Sequence, residues 1–284
     1  MNARIRIGER EYTADLANGR SIAIPLHFDG PQPNAYGVPR ATSRHYEEGG
    51  FIGDTRLGGG CNFETVTLTP HCNGTHTECV GHIAHERIAV DSVLQPGLLP
   101  ATIVSVTPEE AMHSPESYAL VKEEEDRIIT SAALQQALAD ADPAFLEALI
   151  IRTLPNDRAK RSRQYANEPA PFLSIEAIHA VNALGVEHLL ADIPSLDRAS
   201  DEGRLSAHHL FWEVEQGSHD VNPARHSMRT VTELIFVPDD IPDGRCLLDL
   251  QIAPFVADAA PSRPVVFAVR ETVGREMTGH TERK

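Results

Sequence analysis

The chain has 284 residues, 41% hydrophobic and 23% charged, with a formal net charge of −16 and a pI near 5.3. This length is enough to bury a substantial core, and the acidity argues against nucleic acid or another polyanion as partner. No apolar run reaches the ~18 residues of a membrane helix, residues 1–6 lack the apolar centre of a signal peptide, and four irregularly spaced cysteines (Cys61, Cys72, Cys79, Cys246) make no disulfide framework. The expectation is a cytoplasmic protein with reduced thiols and no membrane partner.

In chain order, residues 3–16 alternate around Gly8 and predict a hairpin. Asp15-Leu16 and residues 22–26 read as strands separated by the turn Asn18-Gly19. Residues 30–60 are rich in Gly, Pro and Arg and predict a long irregular loop, the kind that serves as a lid or pocket wall. From Asn62 to Thr69 three threonines alternate with Val66 and Leu68, a strand pattern that stops at Pro70. Residues 101–106 form a β-branched run, residues 131–141 have helical composition, and residues 148–151 suit a buried strand. Ser174 followed by Ile175, Ile178, Val181, Leu184 and then Gly185 predicts a capped helix. Residues 186–191 make the next strand, with Asp192 at its end. A short helix over 204–213 carries His208 and His209, and residues 214–230 read as loop. Residues 231–237 are an apolar strand interrupted by Glu233, which is a paired core acid, an outward charge or a ligand. Closing strands are expected over 247–255 and 263–269, with a frayed tail in the last dozen residues. Strands and helices without regular alternation predict one α/β domain spanning 1–284.

Histidine distribution is the unusual feature. Of 14 histidines, four lie between His71 and His85 and four between His208 and His226, which suggests a site assembled from two segments. The first segment, His71-Cys72-Asn73-Gly74-Thr75-His76-Thr77-Glu78-Cys79-Val80-Gly81-His82, holds three histidines, two cysteines and a glutamate. These are the common ligands of zinc and related metals. His76, Glu78 and His82 are spaced two and four apart, so an extended-then-turning backbone aims all three at one point. Gly74 and Gly81 permit tight turns, and Thr75 is placed to bond a backbone group or a ligating carboxylate. A different reading of the same stretch is a closed structural zinc held by Cys72, His76, Cys79 and His82.

This stretch resembles the metal-dependent cyclase and kynurenine formamidase family, whose signature reads His-x-Gly-Thr-His-x-Asp-x-Pro-x-His. Gly74-Thr75-His76, Glu78 and His82 fall in register with it. Residues 149–153, ending Arg152-Thr153, resemble the family's central strand, and residues 184–197 resemble its Gly-Val…Asp-x-Pro-Ser-x-Asp segment. His208 or His209 with Glu233 is similar to its second ligand pair, and residues 260–264 to its closing strand. The departures are Cys72 at the first histidine with His71 beside it, Glu78 for the aspartate, Val80 for the proline, and a longer interval from His208 to Glu233.

The resemblance implies a swivelling β/β/α-type α/β domain with a mixed β-sheet and flanking helices, assembled as a homodimer or homotetramer. It implies one or two ions of Zn2+ or Mn2+ per chain, held by Cys72, His76, Glu78, His82, His208 and Glu233, with His71 and His209 as substitutes for their neighbours. His82 is a ligand of a second ion or the catalytic acid–base group, since imidazole titrates near neutral pH. The implied substrates are small molecules, and the implied reaction is hydrolysis of an amide or cyclic amide, of the arylformamidase type that converts N-formylkynurenine to kynurenine in tryptophan catabolism. A cation lowers the pKa of a coordinated water towards neutrality, which supplies the nucleophile. Lactone hydrolysis, dehydration and a non-catalytic binding role are the other readings. Cys79 is expected as a small buried residue, His85, His219 and His226 as peripheral, and Asp192, Ser195 and Asp197 as residues shaping the fold near the pocket.

Overall fold

A computed structural model describes residues 1–272; the expected frayed tail lies outside the described residues. The main sheet is built from Asn2–Ile7 (β1), Arg10–Asp15 (β2), His76–Cys79 (β3), Leu98–Val106 (β4) and Ala148–Thr153 (β5). It is completed by His188–Ala191 (β6), Thr230–Glu233 (β7), Gly244–Ile252 (β8) and Ala259–Glu271 (β9). Strands β4, β5, β6 and β7 run parallel, as their crossovers require. Helices Ser131–Ala137 (α1), Ile175–Ala183 (α2) and Ser206–Phe211 (α3) lie in those crossovers. The remaining pairings are antiparallel, so the sheet is mixed.

One long strand closes the sheet on itself. The first residues of β9 pair with β3, its middle pairs with β8, and its end pairs with β2 of the N-terminal hairpin. The path β9-β8-β4-β5-β6-β7-β3 therefore returns to β9 as a barrel-like ring. Closure removes the exposed edges that an open sheet would leave. Strand β5 is buried at every position. Leu149 and Ile151 pack towards the helices with Ile178, Val181 and Trp212, while Ala148 and Ile150 pack with Ile103, Leu190 and Leu248 on the other face.

Local signals explain the helices. The Ser174 hydroxyl accepts from Ala177 N at 2.8 Å and starts α2, and Gly185, at φ 73°, follows its end. Thr130 caps α1 in the same way at 3.2 Å. Three expectations need correction. Residues 22–26 form no strand; Arg20–Ser21 pairs with β9 and Ala23 makes a lone bridge to Ile235, because Pro25 brings no N–H to a ladder. Glu64–Thr67 is a strand, but it pairs only with Thr42–His45 and all four of its residues are exposed, so Val66 does not face the core. The strand over 231–237 stops at Glu233, since Leu234 takes φ 54°.

Candidate metal centre

Strand β3 carries His76 and Glu78 two residues apart, hence on one face. The extended-then-turning backbone expected here is a strand paired with β7 and β9, followed by a helical turn over Val80–Ile83. In that register Glu233 stands opposite His76. The ligand atoms of His76, Glu78 and Glu233 all lie within 4.8 Å of one another. His76 Nε2 is 3.5 Å from Glu233 Oε2 and 3.9 Å from Glu78 Oε2. The Gly74 carbonyl lies 3.0 Å from His76 Nδ1 and accepts its proton, which fixes the tautomer and leaves Nε2 as a lone-pair donor facing the carboxylates. Glu233 Oε1 accepts from Leu196 N at 2.8 Å, leaving Oε2 free. Thr75 bonds backbone rather than a carboxylate: it accepts from Ile24 N at 2.8 Å and donates to Leu234 O at 2.5 Å.

Helix α3 supplies His208. Its Nε2 lies 2.8 Å from Glu78 Oε1 and 3.5 Å from Glu233 Oε1, and its Nδ1 lies 2.6 Å from Asp197 Oδ2. His209 turns away, towards His219 at 6.1 Å between ring centroids. A third group flanks the other side of Glu78. His71 Nε2 is 2.9 Å from Asp258 Oδ2 and 3.4 Å from Glu78 Oε2; His82 Nδ1 is 3.4 Å from Asp258 Oδ2 and 4.0 Å from Glu78 Oε2. The His71 and His82 rings stack at 4.4 Å. Glu78 thus sits between two clusters of donors.

Cys72 stays beside these clusters rather than in them. Its sulphur is not among the converging atoms, and burial, with the charges of Glu233 and Glu78, pushes its thiol up to about 11. The imidazole of His71 occupies the converging place. Cys79 is fully buried and donates to Ile88 O at 3.4 Å, so the closed Cys72–His76–Cys79–His82 arrangement is not assembled. Asp258 carries a signal the sequence does not show: it is an isolated acid until β9 pairs with β3 and brings it to the site.

Burial raises the cost of charge here, yet the carboxylates stay ionised. Against that burial, His82, His208 and His71 hold Glu78 well below the usual carboxylate range. His71 and His82 hold Asp258 down directly. Burial also opposes protonation of His208 and His82, but Asp197, Glu233 and Glu78 raise the first, and Glu78 with Asp258 raise the second. Among the described residues no Lys or Arg pairs with Glu78, Glu233, Asp197 or Asp258. His71 Nε2 and His76 Nε2 are buried without a well-aligned hydrogen bond. Buried carboxylates facing the unpartnered Nε2 of His76 are what a divalent cation would satisfy, so the donor set fits a metal ion.

A barrel-like sheet with imidazoles and carboxylates converging under a covering helix defines a candidate metal-dependent enzyme. The chain belongs to the Cyclase family: the family model described as "Putative cyclase" matches residues 15–198. The matched region includes His76, Glu78 and Asp197 and ends before His208 and Glu233, whose place rests on the geometry. Isatin hydrolase A from Labrenzia aggregata, solved with benzyl benzoate, is similar in fold with TM-score 0.58 at 13% identity, over 88% of this chain and 93% of that one. Isatin hydrolase A from Ralstonia solanacearum gives 0.56 at 13% identity over 88% and 92%. A predicted metal-dependent hydrolase from Bacillus stearothermophilus gives 0.53 at 14% over 88% and 98%. At these identities the likeness is one of fold. No curated protein matches the chain in sequence.

Proposed function

We propose that the chain is a metal-dependent hydrolase that cleaves the C–N bond of an amide or cyclic amide, with arylformamides and isatin-type lactams as its substrate classes. The observation that carries this reading is the convergence of His76, Glu78 and Glu233 within 4.8 Å, with the buried His76 Nε2 unpartnered. In this reading His76, Glu78, Glu233 and His208 hold one ion, with the Cys72 thiol in reserve beside it. His71, His82 and Asp258, on the other side of Glu78, would hold a second where two are bound. Imidazole and carboxylate donors suit zinc and manganese alike. The bound cation supplies a water nucleophile at neutral pH and polarises the acyl oxygen.

The chain's own residues do the rest. Asp197 orients His208 through the 2.6 Å contact to Nδ1. Leu196 N–H fixes one oxygen of Glu233. His82 is the most exposed of the converging histidines, with 26% of its side chain accessible, and Asp258 stands behind it. With a single ion bound, that places it to return a proton to the leaving amine, a step for which imidazole is suited; with two, it is a ligand instead. The homodimeric or homotetrameric assembly implied by the family resemblance, and the cytoplasmic setting expected from the cysteines and the N-terminal residues, go with this reading.

The test is metal analysis of protein reconstituted with zinc or manganese, alongside hydrolysis of formanilide, N-formylkynurenine and isatin. Metal-dependent turnover of a formamide or lactam, abolished by Glu78→Ala, is expected. Turnover confined to lactones, or inertness towards formamides, lactams and lactones alike, would overturn it.

A further inference from the structure

Another group of metal-ligating side chains lies at the starting end of the parallel strands, away from the candidate centre. Glu147 precedes β5, Glu187 precedes β6, and His188 is the first residue of β6. One carboxylate oxygen of each glutamate and one ring nitrogen of His188 lie within 4.8 Å of one another. Thr230, the first residue of β7, is paired with His188. Glu233 of the candidate centre closes that same strand three residues on, roughly 10 Å away.

The backbone explains why chain neighbours converge here. Glu187 N and His188 N both donate to Glu147 O at 3.0 Å. In an extended strand successive N–H groups point to opposite edges, so two consecutive donors on one carbonyl mean that the chain bends at Glu187. The alternation of side chains breaks at that bend, and Glu187 and His188 reach the same place. Thr230 N donates to Glu187 O at 3.0 Å and fastens the third strand to the same turn. Strand ends tied by backbone bonds make a rigid base for ligands. The imidazole sets this group apart from an ordinary solvated patch of acids. His188 is 6% exposed, and its Nδ1 lies 2.8 Å from the hydroxyl of the fully buried Thr230. Among the described residues that is its one side-chain hydrogen bond, so the other ring nitrogen has no protein partner. A buried imidazole held at one nitrogen and open at the other is how ligating histidines are presented. The two carboxylates meet there with no Lys or Arg among the described residues to pair with them.

We propose that Glu147, Glu187 and His188 bind a divalent transition-metal ion of the zinc type, at a site separate from the candidate centre. An imidazole with two carboxylates suits zinc and its neighbours in the first transition row, whereas calcium and magnesium favour all-oxygen sets. Three protein donors leave the remaining coordination to water. The ion braces β5 against β6 and, through the contact of His188 with Thr230, reaches the strand that ends in Glu233. The site stands apart from the hydrolase reading, because none of its residues takes part in that chemistry.

The experiment counts zinc. Full-length protein is stripped with a chelator and dialysed against a series of zinc concentrations, and bound metal is measured by elemental analysis. Wild type is expected to bind one equivalent more than each of Glu147→Gln, Glu187→Gln and His188→Gln. The two glutamates are exposed, so their variants report even where His188→Gln fails to fold. Thr230→Val is expected to keep the equivalent but bind it roughly 10–100-fold more weakly, as loss of the group orienting a ligating histidine does; unchanged affinity there overturns the role given to Thr230. The same comparison is made in a Glu78→Ala background, which disables the candidate centre, and the difference between Glu187 and its glutamine variant is expected to persist. Equal zinc content in wild type, Glu147→Gln and Glu187→Gln overturns the proposal. A difference that vanishes in the Glu78→Ala background also overturns it, since the ion then belongs to the centre. If Glu78→Ala itself binds as much zinc as wild type, the metal-dependent hydrolase reading fails, and the comparison with Glu187→Gln still decides this site.

Discussion

Asp197→Asn isolates the orientation of His208 from its presence. Asp197 is 3% exposed and receives four donors: His208 Nδ1 at 2.6 Å, His208 N at 3.2 Å, Ala207 N at 2.7 Å and the Tyr118 hydroxyl at 2.7 Å. Two of them share Oδ1 and two share Oδ2. Asparagine keeps the shape but replaces one oxygen with an NH2 that accepts nothing, so two donors lose their partner whichever way the amide lies. Each buried donor left unmet costs about 1–3 kcal/mol, which sums to about 4 kcal/mol, in line with breaking a buried ion pair. The imidazole also loses the carboxylate that sets its tautomer, and such a loss weakens metal affinity or activity by roughly 10–100-fold. Urea unfolding of the metal-free variant measures the first quantity, and chelator-competition titration the second. Wild-type metal affinity in Asp197→Asn would refute the reasoning, for it would mean that His208 is not held as a ligand by this contact.

Two further outcomes are expected. His71→Ala should lose one metal equivalent while Cys72→Ser keeps both, measured by elemental analysis after reconstitution; the reverse pattern would return the ligand role to the thiol. His188, 6% exposed and bonded to Thr230 through Nδ1, is lowered by burial to about 4 from 6.5. Because its folded pKa is depressed, the unfolded chain binds the proton first as pH falls, so this group's contribution is full above 6.5 and is lost towards 4. Between pH 7 and 5 that is about 2 kcal/mol, and His188→Gln should therefore lose correspondingly less stability than wild type over that interval in denaturant titrations.

What could be read from the sequence divides by how local the signal is. The α2 helix announces itself through Ser174, its apolar positions and Gly185, all within a dozen residues. Strand β5 announces itself as a short apolar run, and the hairpin of β1 and β2 by alternation around Gly8. Strand β3 shows only as an extended stretch ahead of a turn, without the apolar alternation that would name a buried strand; the ladders from β7 and β9 make it one. The alternation over 62–69 did mark a strand, but period-two patterning names no partner, and this strand pairs away from the core. Choosing His208 over His209 needed the direction of α3, which adjacent residues on a helix do not reveal. Asp258 was out of reach because it becomes meaningful only when a distant segment is laid beside it.

That dependence on distant pairing also says what the site does for the fold. The donors come from β3 and the turns on either side of it, from β7, from α3 and from the residue before β9. They meet where the parallel run β4–β7 gives way to its antiparallel neighbours. The seam is held by long-range contacts such as Thr77 to Thr232, 2.8 Å apart across 155 residues of sequence. Without a cation the same seam concentrates the carboxylates of Glu78, Glu233 and Asp258, which among the described residues are answered by the imidazoles of His71, His82 and His208 and by no Lys or Arg. That pairing sits on the junction of β3 with β9 that closes the sheet. An ion bound only by the folded chain adds stability as RT ln(1 + [L]/Kd), about 2.7 kcal/mol at a hundredfold excess over Kd. It does so at the strand whose pairing fixes the catalytic register. The chemistry that would activate a water and the pairing that closes the barrel therefore depend on the same few donors, and loss of either would be felt in both.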